Sequence, residues 1–317
     1  MSPRRRLFKR VISAFLPIVL VLALGVISAT IWIVRGITRP PRAAYVVTPE
    51  TYAKVTGPTL NATDVNWKNH DGTSARGWLI RGTEGAPAVV LLHRYGADRS
   101  WLLNLGVKLN ESTGFTVLWP DLRGHGENPP VNWTLLGALD GDDVTAAIEY
   151  LHSLKGPTSK PQIGTAIGVY GTELGAYAAL DAANRTPQIR ALALDSVPLS
   201  PDDLVRNAIA TRLAMNNGLM QELGRWGIKL YSGGKYTETS SCDIARSLHD
   251  KHVLLLSGEG GERWRDSTLA LKNCLAGNSV EAKQDAPVTG LNLPSATGQT
   301  EEAYDRPVIE FFDKALR

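Results

Sequence analysis

The chain has 317 residues, a formal net charge of +3, 43% hydrophobic residues and two cysteines. The net positive charge comes largely from basic residues that flank one apolar stretch near the N-terminus. The charge balance therefore gives no indication of a nucleic-acid-binding surface. The sequence contains no metal-ligand cluster, phosphate-binding loop or internal repeat. We therefore predict no cofactor, no metal and no nucleic-acid partner.

The apolar stretch extends from Val11 to Val34 without a charged residue. It exceeds the roughly 20 residues that a hydrocarbon core requires. Basic residues are more numerous before it than after it, which favours a cytoplasmic N-terminus. We predict a cytoplasmic segment over residues 1–10, a membrane-spanning helix over 11–35 and an extracytoplasmic globular domain. The basic residues are Arg4, Arg5, Arg6, Lys9 and Arg10 before the stretch, and Arg35, Arg39 and Arg42 after it.

A cleaved signal peptide is the alternative for this stretch. Such peptides have an apolar core of about 7–15 residues followed by a small-residue cleavage site, and neither condition is well met. The run from Arg5 to Lys9 is similar to a twin-arginine export signal, but basic flanks often produce such strings by chance. We favour an uncleaved anchor, a linker over residues 36–60 and a single large domain over 61–317.

Strand-like and helix-like segments alternate through this domain. This order predicts a mostly parallel sheet with helices on both faces. A longer segment, at about residues 197–250, is rich in helix formers and predicts a helical cap. The predicted strands are 75–80, 88–92, 116–120, 167–170, 191–195 and 252–258, and the predicted helices are 140–154, 175–183 and a terminal one that includes 308–312.

Three motifs follow predicted strands. Residues 169–175 read V-Y-G-T-E-L-G, which has the spacing of the G-x-S-x-G nucleophile elbow with Glu173 in place of serine. Residues 93–96, H-R-Y-G, are similar to an H-G-x-G oxyanion loop. Residues 121–127, D-L-R-G-H-G-E, are similar to the D-x-R-G-H-G-x-S turn. On these motifs the chain resembles the α/β-hydrolase superfamily, in particular its esterase and serine-aminopeptidase-like branch, over residues 64–316.

The resemblance implies an α/β-hydrolase fold and a nucleophile, an acid and a histidine in that order. Glu173 occupies the nucleophile position, and the position of the acid falls on Gly261. No histidine follows the strand predicted at 252–258, although the resemblance implies one between Leu291 and Thr297. The candidate acids that remain are Asp195, Glu259 and Glu262. We therefore predict a degenerate triad with no assigned catalytic residue.

Three functional hypotheses remain. The favoured one is a membrane-anchored, non-catalytic domain that binds a small-molecule ligand or a protein partner. The second is an ester or amide hydrolase with an atypical site at Glu173, which would act as nucleophile or activate water with His93 or a carboxylate nearby. The third is a purely structural role. Ligand binding predicts an open pocket beneath the cap, whereas a completely filled pocket would favour the structural role.

The predicted pocket takes its residues from segments that follow strands. They are His93, Arg94, Tyr95, Gly96, Leu174, Ser196 and Trp264. Within this group we hypothesise that Arg94 and Glu173 form an ion pair across the former oxyanion hole. The alternative is that Arg94 points to solvent.

The two cysteines, Cys242 and Cys274, lie on either side of the strand predicted at 252–258. An even count in an extracytoplasmic domain permits one disulfide. Two buried free thiols are the alternative.

Overall fold

Eight strands form one sheet in the order β1-β2-β4-β3-β5-β6-β7-β8. The computed structural model describes residues 3–42, 44–56 and 61–317. β2 is antiparallel to both its neighbours, and the pairs from β4 through β8 are parallel, which confirms the predicted sheet. The strands are β1 Ala62–Lys68, β2 Ser74–Ile80, β3 Ala86–Leu92, β4 Thr116–Pro120, β5 Ile163–Thr172, β6 Ile189–Asp195, β7 His252–Gly258 and β8 Ser279–Ala286.

Ten α-helices precede, connect or follow these strands within the described residues. The predicted segments reappear, some with unchanged boundaries and others with shifted ones, because sequence patterns locate an element better than its ends. The helices are α1 Pro3–Thr38, α2 Pro49–Thr56, α3 Leu103–Thr113, α4 Asp140–Ser153, α5 Leu174–Arg185, α6 Pro201–Arg212, α7 Gly218–Tyr231, α8 Ser241–Arg246, α9 Glu262–Cys274 and α10 Gln299–Leu316.

The sheet separates two hydrophobic cores. Successive side chains of a strand point to opposite faces, so Val90 and Leu92 of β3 lie in one core while Val89 and Leu91 lie in the other. Helices α4, α5, α8 and α9 contribute to the first core, and α3 and α10 contribute to the second. Burial on both faces explains why the central strands are almost continuously apolar.

Helix α1 contains a stretch, Ser13–Thr38, that is long and apolar enough to cross a membrane, with a mean hydropathy of 2.6. Large apolar side chains from Phe15 to Trp32 are exposed along it. Its last turns differ, because Ile33 and Ile37 are fully buried in the first core.

The helix therefore continues past the predicted boundary at residue 35 and ends inside the domain. The carbonyl of Ile37 accepts a hydrogen bond from the Tyr95 hydroxyl at 2.8 Å, and that of Thr38 accepts one from the Thr134 amide at 2.8 Å. Sequence hydropathy could not separate the two parts, since both are apolar. Residues 1–2, 43 and 57–60, which belong to the predicted tail and linker, lie outside the described residues.

The predicted cap segment forms α6, α7 and α8 between β6 and β7. Helices α6 and α7 pack on each other and on the end of α1. A disulfide joins Cys242 of α8 to Cys274 of α9, with 5.4 Å between the two Cα atoms.

Candidate functional site

The turn between β5 and α5 presents Glu173 at the carboxyl edge of the sheet. Glu173 has φ +50° and ψ −106°, a conformation that costs a side-chain-bearing residue about 1–3 kcal/mol. Two glycines make the turn possible. A Cβ on Gly171 would lie 2.3 Å from the Gly175 carbonyl oxygen, and one on Gly175 would lie 2.4 Å from that of Leu92. The local geometry is that of the predicted elbow.

The Glu173 side chain is turned inward and is 3% exposed. Its Oε2 accepts a hydrogen bond from the Tyr95 amide at 3.0 Å, and its Oε1 accepts one from Nδ2 of Asn207 at 2.6 Å. Tyr95 belongs to the predicted oxyanion loop, and Asn207 belongs to α6. The carboxylate thus binds the loop and the cap together.

Burial raises the pKa of the Glu173 carboxyl group. The positive charge of Arg94 and the two hydrogen bonds from Tyr95 and Asn207 oppose this rise. A buried carboxyl group with a raised pKa is a pattern common at catalytic sites. Here, however, both oxygens are occupied by donors of the protein itself.

Arg94 does not form the hypothesised ion pair. No salt bridge joins its guanidinium to Glu173 among the described residues, which corrects that hypothesis. Its Nε donates to the Leu291 carbonyl at 3.2 Å, and its Nη1 donates to the carbonyl of the neighbouring Tyr95 at 2.9 Å. The guanidinium also stacks over Trp101, 4.3 Å from the ring centroid. The backbone amide of Tyr95 takes the place that the hypothesis gave to Arg94.

Leu291 opens the stretch in which the resemblance implies a histidine. Two histidines are buried close to each other, His93 of the oxyanion loop and His125 of the turn after β4, and their rings are 5.1 Å apart. His93 Nε2 accepts from the Leu122 amide at 3.0 Å, and its Nδ1 lies 2.8 Å from the Arg94 carbonyl. Both ring nitrogens of His93 are therefore engaged with the backbone. Burial lowers the pKa of His93 to about 4 and that of His125 to about 3.

Asp195, at the end of β6, is the one candidate acid that is buried beside the elbow. Its carbonyl accepts the Glu173 amide at 3.0 Å, but its carboxylate points away from Glu173. Oδ1 accepts from the Ser196 hydroxyl at 2.7 Å, while Oδ2 accepts from the Gly290 amide at 2.7 Å and from the Tyr304 hydroxyl. Burial raises the pKa of Asp195 to about 6. This carboxylate secures the loop after β8 instead of orienting an imidazole.

The other predicted site residues are divided between the surface and the interior. Glu259 and Glu262 are exposed, and Glu262 accepts a hydrogen bond from the Gly260 amide at 3.0 Å. Hence the structure does not bring these two acids to Glu173. Leu174, Ser196 and Trp264 are buried, with at most 4% exposure. Gly96 has φ +74°, which allows the oxyanion loop to turn.

Sequence reasoning missed the residues that close the site. Asn207 lies in a cap helix without any motif, and Tyr170 and Tyr304 gave no pattern that placed them near Asp195. Their hydroxyl groups are 2.6 Å apart. The close fit at Gly290, where a Cβ would lie 2.1 Å from Thr172 Oγ1, likewise depends on the folded loop. Within residues 3–42, 44–56 and 61–317, no group of three or more histidine, cysteine, aspartate or glutamate residues could hold a metal ion.

Comparison with protein-family models gives a match over residues 87–288 to a model described as the alpha/beta hydrolase fold. This match covers the elbow, the oxyanion loop and the cap. A search of curated proteins found no match.

Solved structures similar to the chain include hydrolases from archaea and a fungus. An esterase from Pyrococcus furiosus aligns with a TM-score of 0.67 and 20% identity over 88% of this chain and 98% of its own. An acylaminoacyl peptidase from Pyrococcus horikoshii gives 0.60 and 16% over 86% and 44%, respectively. An alpha/beta hydrolase from a Penicillium species gives 0.58 and 16% over 81% and 99%. At these identities the likeness concerns the fold.

Proposed function

The chain belongs to the α/β-hydrolase fold family, and from this premise we propose that it is a membrane-anchored, catalytically silent member that binds a protein partner. The observation that carries the proposal is the hydrogen bond from the Tyr95 amide to the Glu173 carboxylate. In acyl transfer, an amide of this loop stabilises the negatively charged oxygen of the tetrahedral intermediate. Here a side chain of the protein occupies this amide.

Proton transfer gives a second argument against turnover. A serine-type mechanism needs a nucleophile whose proton passes to an imidazole. The elbow carries a carboxylate, and both ring nitrogens of His93 contact backbone groups. The alternative hydrolase centred on Glu173 would need a water or substrate beside a carboxylate that is 3% exposed and bound on both oxygens.

Closure of the site also supports one kind of binding over the other. A small-molecule site needs a concave pocket that opens towards the ligand. Glu173, Leu174 and Ser196 are each at most 3% exposed. Such burial supports recognition by the outer surface of the domain, hence a protein partner, over a ligand held beneath the cap.

Anchoring rests on α1. Its Ser13–Thr38 stretch has the length and apolarity of a membrane span, and its end is hydrogen-bonded to the domain through Tyr95. A cleavage after Thr38 would remove Ile33 and Ile37 from the core. This loss supports an uncleaved anchor over a signal peptide.

The test is hydrolysis of activated short-chain esters and amino-acid anilides by the full-length chain in detergent. Glu173→Gln is measured beside it, with Glu310→Gln, an exposed glutamate of α10, as the matched control. We expect no turnover above the buffer rate from any of the three proteins. Turnover that is present in the wild type and in Glu310→Gln but lost in a folded Glu173→Gln would overturn the proposal and establish the Glu173-centred hydrolase.

A further inference from the structure

Helix α7 carries a row of four apolar side chains, three of which the domain leaves exposed. Leu219, Leu223, Trp226 and Leu230 recur at helical spacing and share one face of the helix. We name this row the apolar stripe. Leu219, Trp226 and Leu230 are 63%, 59% and 80% exposed, and Leu223 is half-buried. Isolated exposed apolar residues are ordinary, whereas a continuous row of large ones marks an interaction surface.

A different face of α7 packs on α1. A Cβ on Gly224 would lie 3.1 Å from Ile33 Cγ2, and one on Gly227 would lie 2.5 Å from Val34 Cγ2 and 2.6 Å from Thr30 Cγ2. These glycines fix α7 against the part of α1 from Thr30 to Val34. The position of the apolar stripe along α1 is therefore fixed as well.

That position corresponds to the end of a membrane span. About 20 helical residues cross a hydrocarbon core, and counting from Val11 this number is used up at about Thr30. The large apolar side chains of α1 from Phe15 to Ile27 are exposed, whereas Ile33 and Ile37 are buried in the domain. The stripe consequently lies where α1 would leave the bilayer.

A groove of about 540 Å³ joins the two helices. Val26 and Ile27 of α1 line it together with Leu230 and Tyr231 of α7, so its apolar wall is continuous with the exposed surface of α1. Arg35 and Arg39 also line it, and neither forms an ion pair within the described part of the chain. Apolar walls with arginines beside them complement the acyl chains and phosphate groups of a phospholipid.

Charged residues lie on another side of α7 and are paired. Arg225 bridges Asp202 at 3.1 Å and Glu222 at 2.7 Å, and Lys229 bridges Glu238. Trp226 and Tyr231 are of the aromatic types that concentrate at membrane interfaces. Helix α7 therefore has an apolar face and a charged face, a division that is found in helices that contact a membrane surface.

From these observations we infer that the apolar stripe of α7 inserts into the phospholipid leaflet from which α1 emerges, so that the cap rests on the membrane. The inference rests on the proposed anchoring by α1 and goes beyond it by assigning a second membrane contact. The occupant of the groove between α1 and α7 is then a phospholipid of the same leaflet. A closed site and a membrane-seated cap leave the opposite end of the domain for a protein partner.

The test measures how deeply single positions lie in the bilayer. The full-length chain is reconstituted in vesicles of phosphatidylcholine and phosphatidylglycerol, with a spin label on one introduced cysteine. The native cysteines are paired in the disulfide. The label is placed at Trp226→Cys, with Ser112→Cys as the control. Ser112 is exposed at the end of α3, at the edge of the sheet opposite to Glu173.

Relaxation by oxygen, which concentrates in lipid, is compared with relaxation by a water-soluble nickel chelate. We expect a severalfold higher oxygen-to-nickel ratio at Trp226→Cys than at Ser112→Cys. Equal, water-like ratios at both positions would overturn the inference. A third label at Ile18→Cys, on the exposed part of α1, separates the two proposals. A lipid-like ratio at Ile18 with a water-like ratio at Trp226 rejects only the seated cap, whereas water-like ratios at both reject the anchor and the inference together.

Discussion

The side chain at position 173 determines what chemistry the elbow can support. Its backbone retains the left-handed conformation of a nucleophile turn, with φ +50°, while its carboxylate binds the Tyr95 amide and Asn207. Hydrogen bonds to an ionised acceptor are stronger than neutral ones. They offset part of the backbone strain and part of the cost of burying the charge. The turn that would present a nucleophile therefore holds the oxyanion loop and the cap together.

The sequence predicted part of this arrangement. The elbow, the missing histidine and the position of Arg94 near it followed from motifs and their spacing. The hydrogen-bond partner of Glu173 could not be predicted in this way. A motif specifies the direction of the backbone but not which of two neighbouring donors a long carboxylate side chain contacts. Arg94 instead donates a hydrogen bond to the Leu291 carbonyl, which is 197 residues away in the chain.

The two buried histidines, His93 and His125, lead to a prediction on the pH dependence of folding stability. His125 has a pKa lowered from 6.5 to about 3, so the unfolded chain binds a proton more readily than the folded one between these values. The stabilising contribution of neutral His125 is present above pH 6.5 and is lost as the pH falls towards 3. The stability advantage of the wild type over His125→Gln should therefore shrink by about 2 kcal/mol between pH 7 and pH 5. Urea unfolding of the full chain in detergent measures it.

His70 provides the control for this measurement. Hydrogen bonds that His70 donates to Glu149 and Asp142 raise the pKa of His70 to about 9. Its contribution is fully present below pH 6.5 and is lost only as the pH rises through 9. The stability difference between the wild type and His70→Gln should hence stay constant from pH 6 to pH 5. Parallel profiles for the wild type and His125→Gln over that range would contradict the neutral, buried state of His125.

Among the elements, α1 shows how one helix can serve two environments. Its first part is exposed and apolar, and its last turns pack into the core together with α6 and α7. Hydropathy predicted the helix correctly but placed its end at residue 35, because an apolar side chain looks the same whether lipid or protein surrounds it. The contacts of α1 with the cap could not be predicted, since they depend on pairing between segments far apart in the chain.

The glycines of α7 allow this packing to be tested. At Gly227 an added methyl group meets Val34 and Thr30, both short β-branched side chains that cannot swing away. Gly227→Ala should lower the free energy of unfolding by about 1–3 kcal/mol, as overpacking does, although alanine favours helix. At Gly218 of the same helix a Cβ meets nothing within 4 Å, so Gly218→Ala should leave stability unchanged or slightly raised. Equal stability of the two variants in denaturant unfolding would refute the close contact between α1 and α7.

For the molecule as a whole, the disulfide and the charge distribution point to the same side of the membrane. The Cys242–Cys274 bond joins α8 to α9 across 32 residues. Disulfides persist in oxidising compartments and are rare in the cytosol. The basic residues that precede the apolar stretch independently favour a cytoplasmic N-terminus. Two unrelated physical arguments therefore support our proposal that the domain lies outside the cytoplasm.

Labelling of intact cells tests this topology. In Ser112→Cys the new thiol lies on an exposed position of the domain, and we expect a membrane-impermeant maleimide to label it without lysis. In Ser2→Cys the thiol belongs to the basic N-terminal segment and should react only after the cells are opened. The native cysteines should contribute no signal, because their sulfur atoms are joined in the disulfide. Labelling of Ser2→Cys but not of Ser112→Cys in intact cells would invert the topology. The domain would then face the reducing cytosol, where the disulfide should not persist.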